Sequence, residues 1–250
     1  MLDETAPIAE RVAAAPARTI ATGTARLFVA GWAESPAPES QDERCVGVTD
    51  FAGRRTQVTQ VLVPESLVAA FTAREDSDVD LAGASEPREM IYDGANAFIR
   101  VADRWTGFFL GDRAGPRRSN DPLWPLEALF GARDDVVEIG PDAVRGVATT
   151  HCRLTVDLAR ADAAVPAGVN VPAGPYRVLT RMPAEVWLDT SGLIRRAAVN
   201  SELATDTDDP PSWAIVELWD FGVAVDITPP RPDEVAAPRD VDWEAPVSSA

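Results

Sequence analysis

Within residues 144–158 the even positions Cys152, Leu154, Val156 and Leu158 are apolar, while His151, Arg153, Thr155 and Asp157 between them are polar. A period of two sends alternate side chains to opposite faces of an extended chain, so this segment predicts a strand with one buried and one wet face. Two further long strand signals follow at 184–199 and 213–227, each with its own turn. In the last, the odd positions Trp213, Ile215, Trp219, Phe221, Val223, Val225 and Ile227 are apolar, with Glu217 the polar exception. Together the three segments read as one curved antiparallel sheet. The face carrying Cys152, Leu154, Val156, Trp219 and Phe221 is expected to point inward, and the face carrying His151, Arg153 and Asp157 to meet water.

The rest of the chain adds strands and short helices to that sheet. Residues 2–14 are Ala-rich, with Leu2, Ile8 and Val12 near helical spacing, and predict a short helix over the sheet. Residues 19–32 predict a strand and 34–42 a loop. Residues 44–50 and 55–63 predict a hairpin about Phe51-Ala52-Gly53-Arg54. Pro64 suits the first turn of a helix through Phe71, and the acidic run 74–80 predicts an exposed loop. Residues 90–101 form two strands across the tight-turn pair Asp93-Gly94, and 105–110 form another. Asp121-Pro122 predicts a helix start that places Leu123, Leu126 and Phe130 on one face, with Gly131 ending it. Residues 162–175 predict a loop, and the Pro-rich segment from Pro229 is expected to leave the sheet. The chain shows neither an internal repeat nor a linker, so residues 1–235 are expected to form a single domain and 236–250 a loose tail.

The formal net charge is −17, and all 23 basic residues are Arg. So acidic a chain repels phosphate backbones and anionic membrane surfaces, which argues against nucleic-acid binding. With 46% hydrophobic residues it has ample material for a core. The N-terminal residues carry no basic flank or long apolar run, and no segment reaches membrane-spanning length, so the expectation is a soluble cytoplasmic protein with no integral membrane segment. Cys45 and Cys152 form no CxxC pair; one disulfide between them is an alternative to the favoured pair of buried free thiols.

Candidate chemistry is thin. His151 is the sole histidine, and its strand pattern sends it away from Cys152, so the two form no dyad. Residues 76–80 open like a calcium loop, but Leu81 stands where that loop needs Gly and Pro87 where it needs Glu. The sequence has no GxGxxG, P-loop, HExxH or GxSxG motif. No catalytic residue, metal ligand or cofactor is therefore expected.

The phrases VRGVATTHCRLTVD (144–157), AEVWLDTSGLIRRAAV (184–199) and VELWDFGVAVDITPPRPDEV (216–235), with Asp93-Gly94 after Met90-Ile91-Tyr92, resemble the actinobacterial LppX/LprG-type lipoproteins, relatives of the LolA-like lipoprotein carriers. The likeness covers residues 19–235. It implies an α+β fold: a single long, strongly curved antiparallel sheet, or half-barrel, with short helices covering its concave face. Between the layers it implies an apolar cavity for a hydrophobic small molecule or acyl chain. The candidate lining is Leu123, Leu126 and Phe130 from the helix, Cys152, Leu154 and Val156, then Val186, Trp187 and Leu188, and finally Trp219, Phe221 and Val223. The same resemblance implies a cell-envelope location. It departs from this chain at the expected export signal and lipid-attachment cysteine, and at Thr150-His151-Cys152, where the family phrase is Thr-His-Tyr. The alternative reading is a protein-interaction or sensor module of the same fold with a filled core and a protein partner.

Overall fold

A computed structural model describes residues 6–33, 36, 43–62, 88–94, 96–101, 104–109, 122–133, 135–164, 181–200 and 213–236. The helix expected at 64–71, the acidic loop at 74–80, Asp121, and most of the loops at 34–42 and 162–175 and of the tail lie outside the described residues. The strands are β1 (Thr24–Ala33), β2 (Glu43–Asp50), β3 (Arg55–Leu62), β4 (Arg88–Asp93), β5 (Asn96–Val101), β6 (Arg104–Phe109), β7 (Val137–Val144), β8 (Val147–Asp157), β9 (Arg181–Asp189), β10 (Ile194–Asn200), β11 (Trp213–Trp219) and β12 (Val235–Ala236). The helices are α1 (Ile8–Ile20), α2 (Trp124–Ala128), which continues into a 3₁₀ turn at Leu129–Gly131, and α3 (Leu158–Ala164).

Among the described residues all strands join one open sheet in the order β12-β6-β5-β4-β3-β2-β1-β11-β10-β9-β8-β7. Every pairing is antiparallel except the two-residue β12, which runs parallel to β6. The fold is thus the α+β half-barrel that the resemblance implied.

Turns divide the predicted segments where left-handed backbone is required. Segment 184–199 is a hairpin: Asp189 Oδ1 accepts the amides of Ser191 (2.9 Å) and Leu193 (3.0 Å), and Gly192 takes φ 75°. Segment 213–227 keeps a ladder only to Trp219, because Asp220 (φ 48°) and Gly222 (φ 78°) turn the chain out of line. The Thr24 hydroxyl then donates to the Val223 carbonyl at 2.6 Å, tying this exit to the start of β1. The Pro-rich segment leaves the sheet as expected, yet it rejoins it at the β6 edge as β12, beside Trp105 and Thr106.

The N-terminal helix lies further along than its composition suggested, at Ile8–Ile20, with Pro16 inside it. Thr19 therefore ends a helix instead of starting a strand. Its hydroxyl donates to the Ala15 carbonyl (2.9 Å) and accepts the amide of Ile194 (3.0 Å), which pins α1 to β10. α3 was not foreseen: Asp157 caps it by accepting the Arg160 amide at 3.0 Å. Gly131 lets the 3₁₀ turn close onto this cap, since a Cβ there would strike the Asp157 carbonyl oxygen and Ala161.

The register shows which parity faces the helices. Cys152 stands opposite Val186, Val186 opposite Ala197, Ala197 opposite Val216, Val216 opposite Val29, and Val29 opposite Cys45. This row belongs to the main apolar core, with Leu27, Leu154, Val156, Leu188 and Leu218, and with Val12, Ala15, Leu126 and Leu129 from the helical layer. The two cysteines are buried, and neither is in a disulfide. They lie five strand spacings apart in one row, about 24 Å along the sheet, far beyond disulfide reach.

Candidate functional site

Strands β1–β3 and β8–β11 build the helix-covered face, with Ile194, Ala197 and Val199 of β10 at its centre. β8 contributes Cys152, Leu154 and Val156, β9 contributes Met182, Ala184, Val186 and Leu188, and β11 contributes Val216 and Leu218. α1 packs against β9, β10 and the 3₁₀ turn, and α2 against β10 and β11. Of the residues singled out from the sequence, Leu123, Leu126, Cys152, Leu154, Val156, Val186 and Leu188 all lie in this cluster, and Phe221 packs against it half-buried.

Trp187 and Trp219 do not. They project from the opposite face, because the register makes the even positions of β9 and β11 the helix-facing set. Phe130 belongs to neither buried cluster. Expected on the Leu126 face by α-helical spacing, it falls instead in a 3₁₀ turn with three residues per turn, where Leu129 takes the place over Leu126 and is fully buried. Val223, beyond the end of β11, also joins neither cluster. Val12, expected on a helix over the sheet, joins the cluster, while Leu129 and Ala15 were missed; only the helix register could have marked them.

A recess opens on this face between the end of α1, the β2–β3 turn and α2, bordered by Ile20, Phe51, Arg54, Leu126 and Glu127. It encloses about 30 Å³, the room of one water molecule.

The outer face is wet only in part: Arg153 is exposed, as the β8 alternation predicted, but His151 is largely covered. His151, Trp187, Arg196, Glu217 and Phe28 stand side by side on successive strands. The His151 ring stacks on Trp187 with centroids 4.2 Å apart and 6° between planes, and its Nε2 lies 2.8 Å from Glu185 Oε2. The Trp187 indole donates to Asp142 Oδ2 at 2.7 Å, and this bond holds the Asp142 carboxyl below the usual carboxylate range. Glu217, 3% exposed, accepts Arg196 Nε and Nη2 on one oxygen (2.9 and 2.7 Å) and pairs with Arg145 Nε on the other (2.9 Å). A buried carboxylate held by two guanidiniums is fully compensated, and such bonds are the strong ones. The signal for this layer was the single Glu interrupting the apolar positions of 213–227.

Chemically, the stretch of the inner face from Cys152 through Val186 to Val216 presents apolar side chains, and the Cys152 thiol there is pushed up to about 11 by burial, which leaves it protonated. Among the described residues no three His, Cys, Asp or Glu side chains converge as a metal site, and no helix is long and apolar enough to cross a membrane.

An open antiparallel half-barrel with short helices on one face is the class that this geometry defines. No family model matches the chain, and no curated protein matches it by sequence. Among solved structures it is similar to the lipoprotein LppX of Mycobacterium tuberculosis, with a TM-score of 0.51 and 11% identity over 88% of this chain and 99% of that one. It is likewise similar to LprF of Mycobacterium bovis, with a TM-score of 0.52 and 13% identity over 90% of this chain and 98% of that one. The chain has the fold of these two lipoproteins.

Proposed function

We propose that this protein is a non-catalytic carrier that binds a lipid, a lipoprotein acyl chain or a similar hydrophobic ligand against the helix-covered face of its sheet. The observation that carries this reading is the unbroken apolar row from Cys152 through Val186, Ala197 and Val216 to Val29 and Cys45, roofed by short helices. Short helices lying on a sheet can lift without breaking a strand ladder, and each methylene that replaces them on that face contributes about 0.8 kcal/mol. LppX, which shares the fold, is a lipoprotein, and this fits a scaffold used beside lipid. Native mass spectrometry of the purified protein, followed by organic extraction and a fluorescent fatty-acid titration, tests the reading. Co-purified lipid or saturable uptake is expected; an empty chain that takes up no fatty acid would sink it.

One observation favours a second reading, a protein-interaction or sensor module with a filled core: among the described residues the helix-covered face is occupied by fully buried side chains, Leu126, Leu129, Val156 and Leu188 among them. On that reading the helices stay down and function lies on an outer surface. A pull-down from the native cell that recovers a stoichiometric protein partner and no lipid would favour it over the carrier.

A further inference from the structure

The β7–β8 hairpin ends in a two-residue turn, Arg145-Gly146, whose φ values are 49° and 77°. Glycine adopts that backbone freely, but at Arg145 the Cβ crowds the following carbonyl, and Asn, Asp or Gly is what such a turn favours. The Arg145 side chain reaches β11, its Nε 2.9 Å from Glu217 Oε2 and its guanidinium 3.8 Å from the centre of the Trp219 ring and 5.7 Å from that of Phe28. β9 and β10 lie between β8 and β11 in the sheet, so the tip crosses over the outer face instead of continuing in the plane of its own strands. Beside it Val144, 1% exposed, packs with Ala30, Trp187, Ala198 and Ile215.

We infer that the β7–β8 tip is a strap, latched across the outer face by Arg145, and that releasing it uncovers the apolar patch of Ala30, Ala198 and Ile215 while the helix-covered core stays shut. Two features make the release local. The cluster beneath the strap shares no residue with the core cluster on the inner face. When Arg145 lets go, Glu217 keeps both bonds to Arg196, so no buried charge is stranded. The Arg145 side chain is 39% exposed, so its hold weakens with salt. The non-glycine residue at a left-handed position then has a reason: its side chain is needed at that place.

Hydrogen exchange read by mass spectrometry on the full chain tests the strap with Arg145→Ala and Arg145→Gly. Backbone strain alone predicts that Arg145→Gly slows exchange at residues 142–148, because glycine relieves the left-handed turn. The latch predicts the opposite: both variants speed exchange there by about tenfold, with amides of Leu154, Val186 and Val216 unchanged. Raising salt should move the wild type toward the variants and leave the variants unmoved. Arg145→Gly exchanging as slowly as the wild type or slower, or acceleration spread evenly over the sheet, overturns the proposal. Should Arg145→Ala fail to fold, the glycine variant and the salt series decide.

Discussion

Asp142 accepts the indole N–H of Trp187 at 2.7 Å, a bond that spans from the edge strand β7 past β8 to β9. The bond lowers the pKa of Asp142, so the carboxylate stabilises the fold fully above its unfolded value, about 3.9, and that contribution is lost as pH falls through the lower folded value. Asp142→Asn should therefore flatten the acid limb of stability relative to the wild type, and Trp187→Phe, which removes the donor, should flatten it too. Urea midpoints measured from pH 6 to 2 check this. A variant curve parallel to the wild type throughout would refute the assignment.

Asp157 holds the first turn of α3 through the Arg160 amide, and Arg133 reaches its other oxygen at 3.4 Å. That amide lowers the Asp157 pKa, so the cap acts above the ordinary carboxylate range and fails in acid. Asp157→Ala should cost about 1 kcal/mol at neutral pH, and Asp157→Asn less, since asparagine keeps an acceptor. Equilibrium urea denaturation at pH 7 is the measurement.

Glu217 and Arg196 illustrate how a buried pair is weighed. Truncating Glu217 to Ala leaves Arg196 buried without its partner, and about 3–5 kcal/mol should be lost. Replacing both by Leu removes the stranded charge and should recover most of that loss. A double-mutant cycle of Glu217→Leu, Arg196→Leu and the double variant measures the coupling; a double variant as unstable as Glu217→Leu alone would show that shape, not charge, is at stake.

The Cys152 thiol titrates near 11 because burial disfavours the thiolate. Its stabilisation is present below the unfolded thiol value and lost as pH rises through about 11. In the native protein at pH 8 a disulfide reagent should leave it unmodified, and in denaturing urea both Cys45 and Cys152 should react. Counting released chromophore with and without urea checks this, and a fast-reacting native thiol would show that the helix-covered face opens to solvent.

The alternation at 144–158 carried the fold because β8 has one buried and one more polar face, so parity survived in the residue types. Local backbone chemistry was equally plain: Asp93-Gly94 turns where expected, with Gly94 at φ 58°. The β9–β11 strands were harder. They are buried almost end to end on both faces, so apolar residues fill odd and even positions alike and the period of two disappears. That is why Trp187 and Trp219 were assigned to the inner face and stand on the outer one.

Composition and pattern by themselves determined the class: an acidic chain of strands and short helices, with an apolar face running through Cys152, Leu154 and Val156. These properties depend on residue type and near neighbours. Only the tertiary structure decided which parity of β9 and β11 faces the helices, that a 3₁₀ turn swaps Leu129 for Phe130, and that Arg145 reaches Glu217 across two intervening strands. Each is fixed by register, by hairpin course or by a change in helical pitch. Those are relations between segments distant in the chain, or shifts of about a residue's rotation, and the identity of the residues does not record them.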